Sequence, residues 1–127
     1  MIRIIRLMSV MFMLVCFPTF AQNETEKQRL LDEIESDLTG NILPFWMEKA
    51  ADASGGFHGI VSNSGEPLTG APKGGVLNAR ILWTFSRAYG IYGLDEYREM
   101  ADRAQQELIG RFIDPAYGGV YWQINPD

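Results

Sequence analysis

Two stretches of this sequence are built alike, and their spacing restricts the fold more than any other feature. Asp52 precedes Gly55-Gly56-Phe57-His58, and Asp114 precedes Gly118-Gly119-Val120-Tyr121, with an offset of 63 residues at the second glycine. Paired glycines interrupt a helix and Asn63-Ser64-Gly65 marks a tight turn, so the first stretch predicts a small hairpin. The second predicts its repeat. The interval between them holds two helical patterns. Successive antiparallel helices alternate direction, so both hairpins are expected at one end of the assembly, the end where the first of those two helices begins.

That helix is predicted over residues 75–92. Leu77, Ile81, Phe85 and Ala88 line one face, and Val76, Trp83 and Tyr89 lie elsewhere around it. A helix that is apolar nearly all round is expected to be covered on most sides. The next helix, predicted over residues 95–112, carries one stripe of Tyr97, Ala101, Ala104, Leu108 and Phe112 opposite mainly charged positions, with Asp95 as its N-cap. A further helix is predicted upstream over residues 24–43. There Thr25 and Gln28 have capping-box spacing, Leu31, Ile34, Leu38 and Ile42 recur at helical intervals, and Pro44 marks a bend or a second short start. The simplest architecture is all-α: a ring of helical hairpins with an apolar inner layer, an amphipathic outer layer and short β-hairpin loops at one end. Two or three helices cannot close such a ring, so the chain is expected to be incomplete, with the inner helix leaving an apolar face bare.

The first 21 residues are expected to lie outside this fold. Arg3 and Arg6 form a positive start, Leu7 to Phe17 an apolar run too short to span a bilayer comfortably, and Thr19-Phe20-Ala21 a small-residue cleavage site. This is the layout of a secretory signal peptide over 1–21, with residues 22–127 as the mature domain. The product is expected to be exported, periplasmic or secreted, with no stable membrane insertion after cleavage. Removing both arginines leaves 9 basic against 16 acidic residues, a balance that gains nothing from a polyanion's field and argues against nucleic acid as a partner. The single cysteine, Cys16, leaves with the signal, so stability must come from packing.

Few residues offer chemistry. Arg80 sits within the first two turns of the otherwise apolar helix. A guanidinium there must find an anion, a carbonyl or water, because an unpaired buried cation is very costly, and the helix N-terminus adds its own donors. The position suits an oxyanion; a buried salt bridge tying helices together is the alternative reading. His58, the only histidine, lies on the first hairpin as a possible acid, base or substrate contact. Tyr121 and Trp122 on the second hairpin would stack on a sugar or pack to close the mouth of the ring. Asp52 and Asp114 fit turn-bracing better than a catalytic pair. The sequence holds no phosphate loop, metal-ligand cluster or serine–histidine arrangement.

At Asn78-Ala-Arg-Ile-Leu-Trp-Thr-Phe-Ser86 the chain resembles the cellobiose 2-epimerases, within the wider N-acylglucosamine 2-epimerase group. Ile42-Leu-Pro-Phe-Trp46, Gly55-Gly-Phe57 and Tyr117-Gly-Gly-Val-Tyr-Trp122 extend the resemblance in the same order across essentially all of residues 22–127. It implies the start of an (α/α)6 barrel and epimerisation at C2 of a reducing-end sugar, with no metal or nucleotide cofactor needed for the chemistry. It further implies a histidine pair that moves the C2 proton through a cis-enediol, and an arginine on the first inner helix, here Arg80, that holds the charged oxygens. Those two histidines lie downstream in the family pattern, and His58 matches neither, so the 127 residues alone are expected to be inactive. With export, a disaccharide or oligosaccharide such as cellobiose or mannobiose is the expected partner. A glycoside hydrolase or lyase on the same barrel, using Asp52 and Asp114, and a non-catalytic carbohydrate-binding remnant are the alternatives.

Overall fold

The computed structural model describes residues 17–126. They divide into two compact units, one ending at Ile42 and one beginning at Leu43; the expected signal segment lies largely outside the described residues.

In the first unit, α1 runs over Phe17–Asp37 and continues as a π-helical turn over Leu38–Ile42. The helix is already under way at Thr25, which corrects the expected start at residue 24. Extending a nucleated helix costs less than starting one, so the capping-box pair is absorbed into its interior. Gln28 accordingly donates forward to Asp32 at 2.7 Å, and Arg29 ties Glu26 and Glu33 along the exposed face.

The second unit begins with a short α segment, Leu43–Phe45, and a π turn, Trp46–Ala50. Pro44 lies in this short segment, which is the second short start of the two readings. It has no N–H to give to the usual i→i−4 bond, and the neighbouring turns are wound wider, in the i→i+5 manner that accommodates such a defect. After a long loop, β1 (Lys73–Gly74) leads directly into α2 (Gly75–Tyr92). The Gly93-Leu94 link then turns the chain into α3 (Asp95–Glu107), which ends in another π turn, Leu108–Phe112. β2 (Gln123–Ile124) returns to pair antiparallel with β1. Asp95 is the first residue of α3, not its cap, because a two-residue link leaves no room to hold it outside the helix. Its carboxylate pairs instead with Arg98 at 3.2 Å, one turn on.

The core of this unit is the seam between α2 and α3. Ile81, Phe85 and Ala88 face Tyr97, Ala101 and Ala104, all buried, and the Phe85 and Tyr97 rings stand 6.0 Å apart. Arg98 lies over the Tyr89 ring at 5.7 Å, adding a cation–π contact beside the seam. The opposite side of α2 is not covered among the described residues. Val76 and Ile91 are exposed and Trp83 retains 69% of its surface, so α3 shields one face only and the expected bare apolar face is present among the described residues.

Both glycine-pair stretches form tight loops closed by single bridges, in place of the strand-paired hairpins expected. In the first, Ala51 bridges Phe57, Asp52 N–H donates to Gly56 O and His58 N–H to Ala50 O. In the second, Ile113 bridges Val120, Asp114 N–H donates to Gly119 O and Tyr121 N–H to Phe112 O. All four glycines of the two pairs have positive φ, which side chains rarely tolerate and which explains why the motif needs them. Each loop follows a π turn, so the repeated unit is larger than the sequence motif. Both loops meet the start of α2, the end at which they were expected. Gly75 N–H donates to Trp122 O, and Gly59 passes so close to Pro72 that a Cβ there would lie 1.9 Å from the Pro72 oxygen.

Candidate active site

Arg80 projects from the exposed side of α2, one and a half turns from its start. This corrects the picture of a buried guanidinium. It stands on the stripe Val76, Arg80, Trp83 and Arg87, spaced at helical intervals and turned away from α3. No acid pairs with it among the described residues, so the buried-salt-bridge alternative has no partner here.

Beside that stripe lies an apolar cleft of about 490 Å³. Tyr121 and Trp122 form one wall, with Ile113 and Val120; Gly75, Val76 and Ala79 of α2 form the other. Two of the three hairpin residues singled out in the sequence thus come together at the start of the helix that carries Arg80. Trp122 is 78% exposed, so its ring face is available to stack. The Tyr121 hydroxyl is hydrogen-bonded to Asp114; partial burial, the Asp114 charge and that bond push the phenol above its ordinary range. Asp114 is drawn below the carboxylate range by the Ala116 and Tyr117 amides and by Tyr121.

His58 is not part of this cleft. It lines a separate pocket of about 210 Å³ with Asp52, Lys73 and Thr69, and its Nδ1 lies 3.6 Å from Asp52. The group that organises this pocket, Lys73, was not anticipated from the sequence. Its side chain is 1% exposed, and its ammonium meets Asp52 at 2.9 Å, Glu107 at 3.5 Å and the carbonyl of Gly55. Arg103 donates to Asp52 O at 2.6 Å, and Arg111 joins Glu107 to the backbone of Asn125 and Pro126. Burial alone would raise the Asp52 carboxyl. The Lys73 hydrogen bond, the Ser54 amide and hydroxyl, and the Lys73 charge outweigh it and bring the group to about 2. A general acid needs the opposite shift. With Asp52 held ionised by Lys73 and Ser54, and Asp114 by the amides of its own loop, the hydrolase alternative loses its carboxylate pair.

No family model matches the chain. It is 50% identical over 97 residues to the cellobiose 2-epimerase of Bacteroides fragilis, covering 76% of this chain and 25% of that protein. With the cellobiose 2-epimerase of Ruminococcus albus it shares 41% identity over 96 residues, again 76% of this chain and 25% of the relative. The solved structure of cellobiose 2-epimerase from Spirochaeta thermophila superposes with a TM-score of 0.74 at 35% identity, over 79% of this chain and 25% of that one. The described fold is therefore that of a quarter of an (α/α)6-barrel sugar epimerase. Within that class the chain is a homologue of the cellobiose 2-epimerases, and it spans about a quarter of the length of the curated relatives it matches.

Proposed function

We propose that this chain forms the part of a carbohydrate 2-epimerase that binds the reducing-end sugar of a cellobiose- or mannobiose-type disaccharide and stabilises the charge developed at it. The observation that carries this reading is an arginine without an acid partner among the described residues, on the exposed stripe of α2 whose first member, Val76, lines the Tyr121–Trp122 cleft. Abstracting the C2 proton of the open-chain sugar leaves a cis-enediolate whose oxygens gain negative charge. A guanidinium not already neutralised by a carboxylate can bind those oxygens more strongly in the transition state than in the ground state, which is the condition for accelerating the step. Trp122 supplies an apolar face for a pyranose ring, and Tyr121 borders the same cleft. The proton itself must be moved by two groups. Residues 1–127 contain one histidine, and His58 is engaged with Asp52, so these residues supply binding and electrostatic stabilisation, not the acid/base pair. By itself the chain is then inactive.

The reading is tested by titrating cellobiose and mannobiose into the chain and following ligand resonances by saturation transfer. Binding that is lost in Arg80→Ala and in Trp122→Ala supports it. No binding by the unaltered chain, or binding indifferent to both changes, contradicts it. The export expectation belongs to the same proposal. Expressed in a bacterium, the chain should be recovered outside the cytoplasm with Gln22 as its first residue, and recovery of the intact amino terminus in the cytoplasm would overturn that part.

A further inference from the structure

Residues from four elements converge on the two-residue strand that launches α2. From one side Gly55 O and the Asp52 carboxylate close on the Lys73 ammonium; from another, Glu107 at the end of α3 does the same. β2 pairs Ile124 with Lys73 and Gln123 with Gly74, and Trp122 O takes the Gly75 amide. Asn78, fully buried, donates from its side chain back to Gly74 O at 3.0 Å. Lys73 is the only one of these residues that joins the first loop, α3 and the strand through a single group.

We propose that Lys73 is a positioning residue: its clamped ammonium fixes the first turn of α2 and so the place from which Arg80 projects. This rests on the reading of Arg80 given above. Lys73 touches no part of the cleft lined by Tyr121 and Trp122, and its side chain is shut off from solvent, so it acts through the backbone it precedes. A buried cation held by two carboxylates and a carbonyl has little freedom, because each alternative position leaves a buried charge uncompensated. The groups facing it are Asp52, with His58 and Arg103 behind it, and Glu107, with Arg111 behind it. The clamp therefore connects the first glycine-pair loop and the end of α3 to one helix start.

Amide hydrogen exchange on the full 127-residue chain tests this without any sugar. Lys73→Met, which keeps the apolar stem and removes the charge, should speed exchange at Gly75, Ala79 and Arg80 by about tenfold or more, while Ala101 and Ala104 in α3 change by less than about threefold. Equal acceleration in both helices, or none at Gly75 to Arg80, overturns the proposal. Should Lys73→Met fail to fold, Asp52→Asn decides, since it leaves Lys73 with Glu107 and Gly55: the same local pattern is expected, and its absence refutes the clamp. A pH profile on the unaltered chain gives a further readout. Protection at Gly75 to Arg80 should fall with the protonation of Asp52, ahead of protection in the middle of α3; a simultaneous loss argues for a general structural role. Where the unaltered chain binds cellobiose, Lys73→Met should weaken binding by about tenfold, and unchanged affinity with a loosened first turn overturns the positioning role. Failure of the unaltered chain to bind sugar would instead count against the Arg80 reading and leave the clamp standing.

Discussion

Asp52 and Gly59 are the residues at which the packing around α2 can be probed most simply. The folded-state value of Asp52, about 2, lies below its ordinary 3.8. The unfolded chain therefore takes up the proton at higher pH than the folded one, so the stabilisation is complete above about pH 4 and is lost as pH falls through 2. The expected loss is about 2 kcal/mol across that window, read from urea-unfolding midpoints between pH 5 and 2. Asp52→Asn should flatten the profile; an unchanged slope in that variant would show that Asp52 is not its source. Gly59→Ala tests the close passage over Pro72. The added methyl has no room against a backbone oxygen, and the first loop must shift or the chain lose about 1–3 kcal/mol. Unaltered stability together with an unaltered Gly59 environment by NMR would contradict the observed approach.

At the scale of elements, the α2–α3 seam and the two loops hold the unit together. Phe85 is 1% exposed and central to that seam, so Phe85→Ala should cost about 3–5 kcal/mol, measured by chemical denaturation. A loss below about 1 kcal/mol would mean that the seam is not the core. The same elements show what can be read from sequence. The extent of α2 was legible because the glycines before and after it bound an unbroken apolar pattern, and the paired hairpins because Asp…Gly-Gly recurs. The π-wound turns before each loop were not, since a π turn has no residue signature distinct from a helix. The Lys73 clamp escaped for a different reason: its partners, Asp52 and Glu107, are 21 and 34 positions away in the chain, and burial of a lysine before a helix leaves no periodic trace. Arg80 was expected to be buried and is exposed. An apolar helix surface indicates what an element can be packed against, and α3 covers only one side of it.

At the scale of the molecule, the unit beginning at Leu43 contains every residue of the described apolar core. Residues 43–127 on their own should therefore retain a cooperative thermal transition and the slow exchange of Ala101 and Ala104. Loss of both on removal of residues 1–42 would contradict the division into two units. Among the described residues, no helix is long and apolar enough to cross a membrane. The exposed stripe of α2, on which Arg80 stands, and the neighbouring cleft both belong to the unit beginning at Leu43.

The most direct test of that role uses a chimera in which residues 22–127 replace the corresponding quarter of the Bacteroides fragilis cellobiose 2-epimerase, with cellobiose turnover as the readout. The account predicts an active chimera in which Arg80→Ala lowers kcat by about 10²–10³, the usual cost of one oxyanion donor, with little change in Tm. Turnover that survives Arg80→Ala while Tm falls would contradict it and make the guanidinium a structural group.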